Sequence, residues 1–257
     1  MATNPTASHT AAKNHGSYFY VWSALACVAV AFLGFIPTYF APIVRGSFSA
    51  SPIVHIHGIV FFSWTLFFTY QTWLVANGRT MRHRDVGLIG ISFATAMTLL
   101  GLLVAVANAS RVGSLGFLSE AKQFLVIPVA GITMFAVLFA FAIANVKNKE
   151  AHKRLMLVAT VSILDAAVAR LFFTFLAPPL APGSAPVPPV GITLPAALLV
   201  DLFIIAGIIY DWRTRGRPHP AYLLAGGAVL VQQLLRAPIS TSAVWDRIAV
   251  WLMHVAG

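Results

Sequence analysis

The sequence predicts an all-α, polytopic membrane helix bundle of about seven transmembrane helices, and three observations predict it. Of 257 residues, 59% are hydrophobic and only 9% charged, with mean hydropathy +0.83. A soluble domain carries about a quarter charged residues. The apolar residues gather into seven runs of about 20, the length that crosses a hydrocarbon core of roughly 30 Å. The basic residues collect on alternate connections between those runs.

Taken in order, residues 1–17 are small and polar and are expected to be disordered. The runs follow at 18–42, 53–76, 86–110, 124–146, 155–177, 193–212 and 222–241. The connection 177–191 holds six prolines (Pro178, Pro179, Pro182, Pro186, Pro188 and Pro189). It is expected to be extended and polyproline-like, either a spacer or a docking segment for another subunit. Segment 242–257 sets Trp245, Ile248, Trp251 and Leu252 at helical spacing. It reads as an interfacial amphipathic helix or as the outer end of the seventh run. Cys27 is the single cysteine and has no partner for an intrachain disulfide.

The net charge of +10 raises the question of nucleic acid, and its distribution answers in the negative. Eleven cations lie on one side: Lys13, Arg79, Arg82, Arg84, Lys147, Lys149, Lys153, Arg154, Arg213, Arg215 and Arg217. Only three, Arg45, Arg111 and Lys122, lie in the opposite loops. By the positive-inside rule the N-terminus is cytoplasmic and the C-terminus external. The expected location is a bacterial inner membrane, with the lipid bilayer as first partner.

Two histidines open apolar runs from within basic surroundings: Arg82-His83-Arg84 and His152-Lys153-Arg154. A histidine at a membrane boundary can ligate haem, move protons or bind an anionic headgroup. The two basic turns, each with a histidine opening the next run, look like one plan used twice. His83, Gly87, Gly90, Ala94, Met97 and Gly101 form one helical stripe, and His152, Met156, Ala159, Ile163, Ala166 and Arg170 another. Small residues there admit a neighbouring helix or a planar cofactor.

Ionisable residues inside the runs are site candidates, because a charge in hydrocarbon is costly unless it serves a purpose. They are His55, His57, Asp165, Arg170, Asp201 and Arg236, joined by Gln71, Gln232 and Gln233. His57, Trp64 and Gln71 share a heptad stripe that predicts an inward-facing His57, with His55 at the outer interface. Two acids and two arginines predict mutual pairing. That network either fixes helix packing or lines a cavity, open outward, for an anionic or quinone-like ligand.

These residues resemble a group of bacterial multi-spanning proteins with a predicted membrane domain of unknown function, known for paired His-Arg motifs and an alanine-rich stretch ending in arginine. The likeness rests on His57, Gln71, Arg79, His83-Arg84-x-x-Gly87, His152-x-Arg154-Leu155-Met156 and Ala166–Arg170, within 53–176. Lys153 departs from it, standing where the group places arginine. The layout is similar, more loosely, to cytochromes of the b561 type, whose histidines ligate haem b from neighbouring helices. That likeness implies His83 and His152 as an axial pair near the cytoplasmic surface, with His57 a further haem-site candidate on the outer side and Arg154 a holder of the propionates.

Three functions stay open: a haem b electron-transfer protein, a transporter or ligand-binding protein built on the Asp/Arg cluster, and a non-catalytic subunit of a larger membrane complex. Whether the chain is an enzyme is left undecided. A retinal protein is excluded, since all five lysines lie outside the runs. No zinc-protease, serine-hydrolase or phosphate-loop motif occurs. The sequence offers no metal other than a haem iron; a zinc centre on His57, Asp165 and Asp201 is the weakest reading.

Overall fold

The computed structural model describes residues 15–178 and 181–256, which are helical with no strand among them. The expected disorder of residues 1–17 and the position of Pro179 lie outside the described residues, except that His15–Ser17 already belong to the first helix. In order, the helices are α1 (His15–Phe35), α2 (Ala41–Val44), α3 (Pro52–Ala76), α4 (Thr80–Ser114), α5 (Leu118–Phe124) and α6 (Val126–Ala144). They are followed by α7 (Lys149–Ser162), α8 (Asp165–Phe175), α9 (Leu194–Val200), α10 (Leu202–Arg215), α11 (Pro220–Ser240) and α12 (Ala243–Ala256). Six continuous spans are long and apolar enough to cross a membrane, and the bent pair α7–α8 makes a seventh. The chain is a polytopic helical membrane protein.

Several spans are interrupted, and the interruptions have local causes. Pro37 lies in a π-turn, Ile36–Phe40, between α1 and α2, because proline brings no N–H to the ladder. Pro128 leaves the Phe124 carbonyl without its i+4 donor, and α5 gives way to α6 at Leu125. The break between α7 and α8 is different. No glycine or proline occurs from 161 to 166, yet the axis turns by 40°. It coincides with Asp165, which opens α8, the end of a helix where a carboxylate is favoured. The turn from α3 into α4 is closed by Gly78 at φ 72°, a left-handed conformation that suits glycine.

The main core joins α1, α3, α4, α6, α7 and α11 around Trp64, Phe135, Phe139, Leu157 and Tyr222. A second core caps the opposite end from the arginine-rich turns. There Ala185, Val187 and Val190 of the proline-rich connection pack with Ala121, Val126 and Trp245. The connection is therefore docked on the bundle, with Pro189 in polyproline geometry (φ −54°, ψ 139°). Within segment 242–257, Ala243–Ala256 form a helix of their own, separated from α11 by Thr241 and Ser242. Ser242 caps it, its hydroxyl accepting from the Trp245 N–H at 3.2 Å. Trp245 Nε1 donates to the Lys122 carbonyl at 2.8 Å, and Lys122 pairs with Asp246. That helix is anchored to protein on one face, while Trp251 stays exposed.

Candidate functional site

His83 and His152 are each the fourth residue of their helix, α4 and α7. The hairpins α3–α4 and α6–α7 bring them together across the arginine-rich end. The ring centroids are 6.3 Å apart and the planes meet at 76°. His152 is held by the end of α6: its Nδ1 lies 2.8 Å from the Ala142 carbonyl oxygen, in the last turn of that helix, which also accepts the Asn145 N–H at 3.2 Å. Nδ1 donates in that bond, since a carbonyl oxygen can only accept. His83 Nδ1 is buried and makes no hydrogen bond, with Gln71 of α3 beside it. Gln71 itself is 7% exposed, and neither of its amide atoms has a partner.

Two imidazoles are too few for a protein-built zinc site, and no group of three or more His, Cys, Asp or Glu side chains stands together among the described residues. His57, Asp165 and Asp201 do not stand together as such a group. Two imidazoles are the whole protein share of a haem iron ligated from both faces. With metal–nitrogen bonds of about 2 Å and half a ring on each side, the centroids of two such imidazoles stand about 6 Å apart. The centroids of this pair stand at that separation. Gly87, one turn along α4 from His83, has open space where a Cβ would sit.

His57 is remote from this pair. It lies beside Leu100, and Phe61 one turn on meets Gly101, so it faces the part of α4 about 25 Å along the axis from His83. Its ring packs on Phe61 at 4.1 Å and its Nδ1 is buried without a partner. His55 bonds the Tyr39 hydroxyl through Nδ1 at 2.9 Å. Trp64 is a core residue: it is 1% exposed and donates from Nε1 to Thr160 Oγ1 at 3.2 Å.

Arg154 does not hold a propionate. It is 1% exposed; its Nε donates to Asp211 Oδ2 at 2.7 Å and its Nη2 to Asp211 Oδ1. Its Nη1 bonds both the Glu150 carbonyl and Glu150 Oε2 at 2.7 Å. Arg215 also pairs with Glu150, and the His219 N–H donates to Asp211 Oδ2 at 3.0 Å. This clasp ties α7 to α10 and to the start of α11. Asp211 went unnoticed in the sequence because it sits at the last turn of its run, where an acid looks like a loop residue.

The expected pairing of two acids with two arginines is half realised. Arg236 donates from Nη1 to Asp165 Oδ2 at 2.7 Å. Arg170 instead bonds its own helix at the Ala166 carbonyl and lies 4.2 Å over the Phe35 ring. Asp201 accepts from Gln233 Nε2 at 3.1 Å. Gln233, 4% exposed, is the member of the glutamine pair that joins the cluster; Gln232 points about 100° away, as the next residue on a helix must. The small-residue stripe from His83 to Gly101 is buried from Gly90 onward. The one from His152 is cut at Ile163 by the α7–α8 bend, and Ala166 beyond it is exposed. Comparison with known protein families, with curated proteins and with solved structures finds no match for this chain.

Proposed function

We propose that this protein is a b-type membrane cytochrome, carrying haem b between His83 and His152 at the cytoplasmic face of a bacterial inner membrane. The observation that carries the reading is the imidazole pair, delivered from two separate helices with centroids 6.3 Å apart. The bound group supplies reversible one-electron chemistry.

The chain's own residues do the positioning. The Ala142 carbonyl holds His152 through Nδ1 and leaves Nε2 for a ligand, the arrangement by which outer partners orient metal-ligating histidines. Arg82 and Arg84, exposed on either side of His83, supply positive charge for anionic substituents now that Arg154 is committed to Asp211 and Glu150. The cytoplasmic assignment follows from the basic turns at this end.

The test is an absorption spectrum of protein purified from haem-replete cells, before and after dithionite. A Soret band with sharpened α and β bands on reduction is expected, lost in His83→Ala and His152→Ala and retained in His57→Ala. Wild-type protein without a Soret band, or one that survives both substitutions, overturns the proposal.

A further inference from the structure

A second site lies in the outer half of the bundle, where the bend between α7 and α8 and the one-residue turn between α9 and α10 each carry an aspartate. Asp165 opens α8, and Asp201 stands between α9 and α10 without a side-chain bond to the helix start. At 1.5 Å per residue, Asp165, Asp201 and Arg236 stand about 21–24 Å from the arginine-rich ends of their spans, in one layer. Broken helices at membrane depth occur where backbone lines a cavity or meets a ligand. Helix breaks alone do not make a site; the side chains of α11 do.

Arg236 is 2% exposed, and only Nη1 is partnered; Nε and Nη2 make no hydrogen bond. Those two nitrogens form one edge of the guanidinium, two parallel donors in a fixed fork. The same chain shows what that edge takes. In Arg154 the Nε/Nη2 edge grips both oxygens of the Asp211 carboxylate. The corresponding edge of Arg236 is presented with nothing on it. Beside it, Gln233 Oε1 is also buried without a partner. Burying two charged donors without a protein partner is among the more costly arrangements in a protein.

We propose that the Nε/Nη2 edge of Arg236 binds the carboxylate of a small monocarboxylic acid, with Asp165 as the standing counter-ion on Nη1. Charge selects a monoanion. The charged groups facing Asp201 are Asp165 on α8 and Arg236 on α11, so the site already holds two acids against one cation. A bound carboxylate therefore enters together with one proton, taken by Asp201. Arg170 does not offset the charge, being turned to Phe35. The site is independent of the histidine pair, about 20 Å along α7–α8 from His152.

Equilibrium dialysis of the full-length protein in nanodiscs against radiolabelled acetate and benzoate tests the proposal, with proton uptake followed in weakly buffered solution. Saturable binding with about one proton per anion is expected. Arg236→Lys keeps a cation for Asp165 but loses the fork, and binding should weaken about tenfold or more. Asp201→Asn should bind the anion without taking up a proton. No saturable binding by wild type, equal binding by Arg236→Lys, or undiminished proton uptake by Asp201→Asn overturns the proposal; the first two assign the edge to water.

Discussion

His219 joins the clasp to a helix start. Its Nδ1 accepts the Ala221 N–H at 3.1 Å, capping α11, while its own N–H holds Asp211. Burial, with Arg154 and Arg215 close by, holds its pKa below the usual histidine value. A protonated ring cannot accept that bond. The unfolded chain therefore binds the proton more readily, and the stability His219 contributes is complete above about pH 6.5 and falls as the pH drops below it. Amide exchange at Ala221 should accelerate between pH 7.5 and 5.5 beyond the intrinsic rate change, and a His219→Asn cap should flatten that response. Unchanged protection across the range contradicts the assignment. Of the clasp, the sequence singled out only Arg154 and Arg215; Arg154 and Asp211 are 57 positions apart, and no local pattern links them.

At the scale of elements, glycine sets the distance between α1 and its neighbour. A Cβ on Gly34 would stand 2.5 Å from the Ala167 carbonyl oxygen of α8 and 2.7 Å from the Ala167 Cβ. Gly34→Ala should push α1 from α8 and lower stability by about 1–3 kcal/mol. Gly131→Ala, on α6 with nothing within 4 Å, should leave the thermal midpoint near that of wild type. Fluorescence-monitored unfolding in detergent compares the two; equal midpoints refute the packing argument. Hydropathy foretold the span containing α8 but not its break. The turn at Ile163–Leu164 has no sequence breaker, and its partner, Arg236, arrives from 71 residues away. The interruptions at Pro37 and Pro128 were open to local reading, because a missing N–H acts on its own turn.

The whole molecule carries its basic turns at one end and its proline-rich cap at the other. With Cys27 fully buried, a Cys27→Ser background permits single reporters. A membrane-impermeant maleimide should label Ser184→Cys in intact cells and Asn77→Cys only after lysis; the reverse pattern overturns the orientation. The sequence by itself determined the class, the number of spans and the predicted sidedness, since hydropathy and loop charge are sums over neighbours in the chain. It also picked out His83 and His152 as boundary histidines in basic surroundings, and Asp165, Asp201 and Arg236 as costly residues inside the runs. Tertiary structure alone decided which of them meet: His83 with His152, Asp165 with Arg236, Arg154 with Asp211, and His57 and Arg170 with none of these. Contacts between spans depend on how helices rotate and bend against one another, and a span buried on one stripe and greasy on the rest records little of that rotation in its composition.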